Sequence, residues 1–181
     1  MSDDLQTQLN NTIRTVSDWP EPGVQFRDIT PILQNPAVFK AVIDHFCQRY
    51  SELKPDVLVC IDARGFLFAS PVAYALGLPL VPIRKKGKLP YHTVSTDYSL
   101  EYGTGTIELH QDAIEQGQSV VLVDDLIATG GTLLASAKLV RELGGRVIEA
   151  AAIVDLPDLG GSQKLIDDNV KPYALTTYQG V

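Results

Sequence analysis

"VVLVDDLIATGGT", from Val120 to Thr132, decides how the chain is read. Four apolar residues lead into two adjacent aspartates, then a short apolar step, then a run of small and hydroxylated residues. A short continuous apolar run matches a strand buried on both faces of a parallel sheet. The following "GTLLASAKLVRELGG" carries Leu133, Ala137 and Val140 at helical spacing and a stop at Gly144. The stretch therefore reads as strand, loop and helix, with both carboxylates at the strand's carboxyl end. In open α/β sheets that end is where ligands bind.

The loop has the chemistry of an anion seat. A helix that begins near Gly130 or Gly131 offers unpaired backbone N–H groups, a positive dipole end and glycines that permit close approach. Thr129 and Thr132 add hydroxyl donors. Ionised Asp124 and Asp125 are acceptors, and a sugar diol is a donor. A sugar phosphate fits both halves: the phosphate on residues 128–132, Ala128 included, and the diol on Asp124 and Asp125. Glycines and threonines alone would equally suit a capped strand–turn–helix junction; the paired acids favour a ligand. No GxxxxGK[ST] and no strand-borne GxGxxG occurs, which argues against a P-loop and against a dinucleotide fold.

The same alternation runs along the chain. Asp3 to about Thr15 predicts an amphipathic helix on Leu5, Leu9 and Ile13. "WPEPGVQFRDITP" is too rich in proline to be helical. Pro36 to Tyr50 predicts a helix with Val38, Val42, Ile43 and Phe46 on its apolar stripe. "DVLVCID" and "LPLVPI" read as strands, and "GFLFASPVAYALG" between them as a helix ending at Gly77 despite Pro71. From Arg84 to about Gly105 the text turns polar, predicting a hairpin with a long mobile tip that returns at "TIELH". "RVIEAAAIVD" is one more strand. The sum is an α/β fold with a mainly parallel central sheet flanked by helices.

At 181 residues the chain is expected to form one domain. Its hydrophobic fraction of 45% and charged fraction of 20% are ordinary for a globular protein. A net charge of −7 argues against broad binding to nucleic acid or anionic membranes. Cys47 and Cys60 form no CxxC pair and sit among apolar residues, so both read as small core hydrophobes in a reducing compartment. The amino terminus lacks a basic-then-apolar leader and no apolar run approaches a membrane span, so the expectation is a cytoplasmic protein.

Val120–Thr132 resembles the phosphoribosyl-diphosphate motif of the type I phosphoribosyltransferases. "PGVQFRDITP" (Pro22–Pro31), "DARGFLFA" (Asp62–Ala69) and "RKKGKLPYHTVSTDYSLEYGTGTIEL" (Arg84–Leu109) resemble the adenine-using branch of that family, in the family's order. The resemblance implies a flexible catalytic hairpin over about 84–109, a base-binding hood over about 1–35 and a phosphoribosyl unit over about 120–144. It also implies the reaction of adenine with 5-phosphoribosyl 1-diphosphate to give AMP and pyrophosphate. Mg²⁺ would be carried mainly by the substrate diphosphate, and the enzyme would be a homodimer.

The resemblance assigns roles residue by residue. Ala63 and Arg64 fall at the tip of a pyrophosphate loop, and Arg64 has the planar fork of donors that phosphate oxygens need. Arg84, Lys85, Lys86 and Lys88 place four cations in five positions, either a solvated strand end or a charge source for a diphosphate leaving group. Arg84 and Lys88 are taken as pyrophosphate contacts, and Lys88 opens the lid, which would exclude water during transfer. Glu101 is placed near N7 of the base for proton handling, and Tyr102 near the phosphoribosyl group. Val24, Phe26, Arg27 and Leu126 are placed around adenine: Phe26 stacking, Val24 and Arg27 reading the amino edge, and Leu126 covering the other face. His45 and His110 lack metal-ligand partners at a usual spacing and read as structural. Two rivals remain: a transferase for another base, and a regulator that kept the fold without the chemistry. The acidic balance and the absence of a helix-turn-helix extension argue against the second.

Overall fold

The computed structural model of the chain describes residues 3–99 and 104–180. Its centre is a set of parallel strands: β3 (Val57–Ile61), β4 (Leu80–Lys85), β7 (Ser119–Val123), β9 (Arg146–Asp155) and β10 (Pro172–Thr177). The sheet order is β10-β9-β7-β3-β4-β6-β5, where β5 (Thr93–Ser99) and β6 (Thr104–His110) form an antiparallel edge. β3 and β7 are buried at every position, as their unbroken apolar runs require. Alternate residues feed two cores: Leu58 and Cys60 point to one, and Val57, Val59 and Ile61 to the other.

The first core is covered by α1 (Asp3–Thr12), α3 (Pro36–Leu53) and α4 (Gly65–Leu76), the second by α5 (Gly131–Glu142) and α6 (Gly161–Asp167). In α3, Asn35 caps the start by accepting from the Ala37 and Val38 amides, and Val38, Val42, Phe46 and Tyr50 form the buried stripe. Gly77 ends α4 in the left-handed conformation, φ 65°, where a side chain would be strained. No helix among the described residues is long and apolar enough to cross a membrane.

One expectation is revised, and other elements are added. The first helix stops at Thr12, and Arg14–Ser17 becomes β1, paired antiparallel with β2 (Gln25–Asp28). β-branched Thr15 and Val16 suit a strand, and pairing with Arg27 and Phe26 supplies the partner that a helix there would lack. The polar segment after Arg84 pairs Thr93–Ser99 with Thr104–His110, while β6 also bonds β4 at Arg84 and Lys85; its tip, residues 100–103, lies outside the described residues. The short α2 (Thr30–Gln34) and the 3₁₀ turn Pro157–Leu159, α6 and β10 carry no strong sequence period and emerge only in the structure.

Candidate active site

β7 ends at Val123, but strand pairing resumes beyond the aspartates. Asp124 and Asp125 interrupt it, and β8 (Leu126–Ile127) resumes pairing with β9: Val123 faces Ala151 and Leu126 faces Val154, three residues on in each strand. The Asp125 carbonyl accepts from Ile153 and Val154 N–H (3.0 and 3.1 Å), which pins the interruption. The carboxylates thus stand on a rigid edge.

Asp125 is buried and its Oδ2 accepts from Arg64 Nε at 2.5 Å; its own N–H donates to Asp124 Oδ1 at 2.8 Å. Desolvation, then the adjacent Asp125 charge, pushes the Asp124 carboxyl well above its usual range. Arg64 caps α4, directly after β3. Burial works against its charge, but the hydrogen bond and charge of Asp125, with Asp124 and Asp28 behind them, prevail and hold the guanidinium firmly cationic. The Asp62–Ala63 peptide before it is cis.

These groups enclose a pocket of about 180 Å³ at the carboxyl ends of β3, β4 and β7. Asp62, Ala63, Arg64, Lys85, Tyr98, Asp124, Asp125 and Thr132 line it, on an apolar floor of Ile61, Ile83 and Ile107. Acceptors for a diol and donors for an anion therefore face one small space. The helix that follows begins at Gly130, left-handed at φ 80°, and its first-turn amides have no intrahelical acceptor. Thr129 and Gly131 line a larger groove of about 930 Å³ running along α5, and Tyr98 lines both spaces. Tyr98 lies across Gly105 of β6, where a Cβ would come within 2.8 Å of its ring.

Of the residues expected at the site, Ala63, Arg64, Asp124, Asp125 and Thr132 share the small pocket, and Thr129 and Gly131 share the groove. Ala128 and Gly130 lie in the loop that joins Asp125 to α5. Arg84 points to the other side of β4 and donates to Asp62 Oδ2 at 3.1 Å; Lys85 takes the pocket face. The strand's two-residue period decides this, and the sequence does not tell which parity faces inward. Lys88 is exposed and does not line the pocket; its backbone N–H donates to Glu108 at 2.9 Å. Glu108 was missed: 5% exposed, it also accepts from Leu89 N–H at 2.8 Å and so anchors the start of the polar segment. Burial would raise that carboxyl, but the three backbone amides of Leu89, Gly87 and Lys88 outweigh it and lower its pKa.

Val24, Phe26 and Arg27 stand on the β1–β2 hairpin, and Leu126 packs against the first core; none lines the small pocket. Phe26 meets Trp19 edge-on at 4.3 Å. Arg27 Nη1 donates to Thr15 Oγ1 at 2.5 Å and its guanidinium lies 4.5 Å above the Tyr178 ring, while its Nε and the Tyr178 hydroxyl are buried without a protein partner. Asp28, next along β2 and paired with Arg14, adds weakly to the field that keeps Arg64 charged. Glu101 and Tyr102 lie outside the described residues. His45 is hydrogen-bonded to the Tyr173 hydroxyl at 2.5 Å and His110 to the Pro90 carbonyl at 2.6 Å. Cys60 is buried and Cys47 half-buried; both are free thiols.

A mainly parallel sheet with paired carboxylates and a glycine-led helix start at its carboxyl end is the architecture of the type I phosphoribosyltransferases. Residues 28–175 match the family model for the phosphoribosyl transferase domain. The adenine phosphoribosyltransferase of Chromohalobacter salexigens is 55% identical over 170 residues, 94% of this chain and 94% of that protein. The crystal structure of adenine phosphoribosyltransferase from Thermoanaerobacter pseudethanolicus superposes with a TM-score of 0.90 at 44% identity, covering 96% of this chain and 99% of that one. The Trypanosoma brucei enzyme, in complex with AMP, pyrophosphate and ribose-5-phosphate, superposes with a TM-score of 0.89 at 30% identity, over 97% of this chain and 81% of that one. The chain belongs to the phosphoribosyltransferase family, among the adenine phosphoribosyltransferases.

Proposed function

We infer that the chain converts adenine and 5-phosphoribosyl 1-diphosphate to AMP and pyrophosphate, a purine-salvage reaction. The N9–C1′ bond forms, the C1′–oxygen bond to the diphosphate breaks, and the N9 proton leaves. The observation that carries this reading is the interrupted strand: Asp124 and Asp125 stand opposite Arg64 and Lys85 in one pocket, one step before the Gly130 helix start. Carboxylates accept from hydroxyls such as a ribose diol, and cationic side chains donate to phosphate oxygens, which supports this reading.

In this reading residues 128–132 hold the 5′-phosphate, and Asp124 and Asp125 the diol, Asp125 through its oxygen not taken by Arg64, with Tyr102 beside the ribose. Ala63, Arg64, Arg84 and Lys88 serve the pyrophosphate, and Lys85 joins them because it faces the pocket. Arg84 and Lys88 would act at the rim. Val24, Phe26, Arg27 and Leu126 hold adenine. Glu101 handles the proton at N7. No side-chain nucleophile is needed, because the base attacks the sugar; positioning and charge stabilisation carry the rate.

Bound with the substrate, Mg²⁺ would supply neutralisation of the diphosphate charge. Among the described residues no group of three His, Cys, Asp or Glu side chains could hold a metal ion, so the substrate diphosphate would be its main carrier. Asp62 and Asp125 are already engaged by arginines, so Asp124 is the carboxylate best placed to meet it, and substrate oxygens and water would supply most of its shell. Residues 1–181 are read as one domain, with hood, lid and phosphoribosyl unit within it, acting in the cytoplasm. A homodimer is proposed from α4: just after Arg64, its outer face exposes Leu67 (44%) and Tyr74 (91%), an apolar surface that a second copy would cover.

The test offers phosphoribosyl diphosphate and Mg²⁺ with adenine, hypoxanthine, guanine, xanthine, uracil or orotate separately, and quantifies each nucleotide. AMP alone is expected. A different nucleotide would keep the phosphate seat and overturn the base slot. No product with diphosphate binding retained would point to a regulator.

A further inference from the structure

We propose that the turn Gly160–Lys164, far along the chain from any residue assigned above, is a clamp that orients the phosphate-seat loop, with Gly161 and Lys164 as positioning residues; this rests on reading residues 128–132 as that seat. Two contacts define it. Gly161 N–H donates to the Ala128 carbonyl at 3.0 Å, and Lys164 Nζ donates to the Thr129 carbonyl at 3.2 Å. In a trans peptide the carbonyl and the next N–H point in opposite directions. Tying the Ala128 and Thr129 carbonyls to α6 therefore turns the Thr129 and Gly130 amides away from it, towards an anion in front of the α5 start. Two carbonyls left loose there would be free to present their negative ends to the phosphate.

The approach is close enough to demand glycine. A Cβ on Gly161 would lie 2.2 Å from the Ala128 oxygen and 2.7 Å from the Gly130 nitrogen. A Cβ on Gly130 would lie 3.0 Å from the Gly161 Cα. Gly160 is glycine for another reason: it caps α6 at φ 74° with open space around it. The clamp is itself anchored to the strand that carries the loop. Ser162 Oγ donates to Asp155 Oδ1 at 2.5 Å, and Asp155 pairs with Ile127 in the β8–β9 ladder. Loop and clamp thus hang from one strand pair and keep a fixed separation.

The test measures ribose 5-phosphate affinity by calorimetry, KM for phosphoribosyl diphosphate and for adenine, and melting temperature. The proteins are wild type, Lys164→Met, Lys164→Arg, Gly161→Ala and, as a variant within the seat, Thr132→Val. In Lys164→Met, ribose 5-phosphate Kd and phosphoribosyl-diphosphate KM should rise about tenfold, as a small misplacement of binding groups does. Adenine KM should hold, and Lys164→Arg should recover most of the loss. Gly161→Ala should do the same without changing charge, which separates positioning from direct phosphate contact; if it fails to fold, the Lys164 pair decides. If Thr132→Val weakens ribose 5-phosphate while neither clamp substitution does, the clamp is wrong and the seat stands. If none of the three weakens it, the seat reading fails and the clamp falls with it.

Discussion

Asp124 and Asp125 are neighbours in sequence with different environments. Asp125 is buried and neutralised by Arg64; Asp124 faces the pocket without a cation of its own among the described hydrogen bonds and ion pairs. Burial and the Asp125 charge raise the folded Asp124 pKa above the ordinary 3.8. The unfolded chain releases that proton first, so stability falls as pH rises from about 4 through the folded pKa, and the penalty persists above it. Asp124→Asn should therefore stabilise the ligand-free protein at pH 8 by about 1 kcal/mol, with no gain below about pH 4. Melting curves across pH, without substrate, would show it; an equal or lower melting point at pH 8 would refute the strained-carboxylate reading. The same variant should bind phosphoribosyl diphosphate more weakly. Glu101→Ala should lower turnover by roughly 10²-fold or more if it handles the proton, with much less effect on diphosphate affinity; wild-type turnover would remove it from the mechanism.

Between elements, the site depends on how closely α4 meets the end of β7. Gly65, the first residue of α4, leaves no room for a Cβ: it would sit 2.5 Å from the Val123 carbonyl oxygen and 3.1 Å from the Asp124 Cα. That approach brings Arg64 within reach of Asp125. Gly65→Ala should cost about 1–3 kcal/mol as overpacking against a rigid strand, a fall of roughly 2–10 °C in melting temperature for a chain this size. It should also raise the KM for phosphoribosyl diphosphate, since Arg64 moves with the helix. A melting point and KM equal to wild type would mean that the junction gives way freely. A second inter-element device holds α3 to the sheet: Arg49 pairs with the fully buried Glu149 and stacks on Tyr173 at 3.5 Å. Arg49→Ala leaves Glu149 without that partner and should cost about 3 kcal/mol, read by denaturant unfolding; a loss under 1 kcal/mol would show that Tyr50 and water suffice.

For the whole molecule, cations gather at one end of an acidic chain. The net charge is −7, yet Arg64 and Lys85 line the pocket at the carboxyl ends of the strands, with Arg84 held beside it by Asp62. A polyanionic substrate would meet Lys85 there, which has no acidic partner among the described ion pairs, beside two arginines held by aspartates. The apolar face of α4 lies beside that end, so covering it with a second copy would also steady Arg64. Leu67→Glu with Tyr74→Glu should convert a dimer to monomer in sedimentation and lower activity. A monomeric wild type would overturn the dimer.

The sequence alone determined the strand–loop–helix of Val120–Thr132, the alternating α/β order and the placing of two aspartates one loop before a glycine-led helix start. Unbroken apolar runs, helical stripes and glycine stops are local properties, so they survive without coordinates. Arg64 was legible for the same reason, standing between a clear strand and a clear helix. Which face of β4 meets the ligand was not, because strand parity depends on register with β3 and β6, and so Lys85 was passed over as a pocket residue. Glu108 stood out little in the mixed strand TGTIELH because its partners, the amides of residues 88 and 89, lie across a chain reversal. Gly161 and Lys164 were beyond reach in kind: they touch residues 128 and 129 only because β8 and β9 are paired, and contacts between distant segments exist only once the chain has folded.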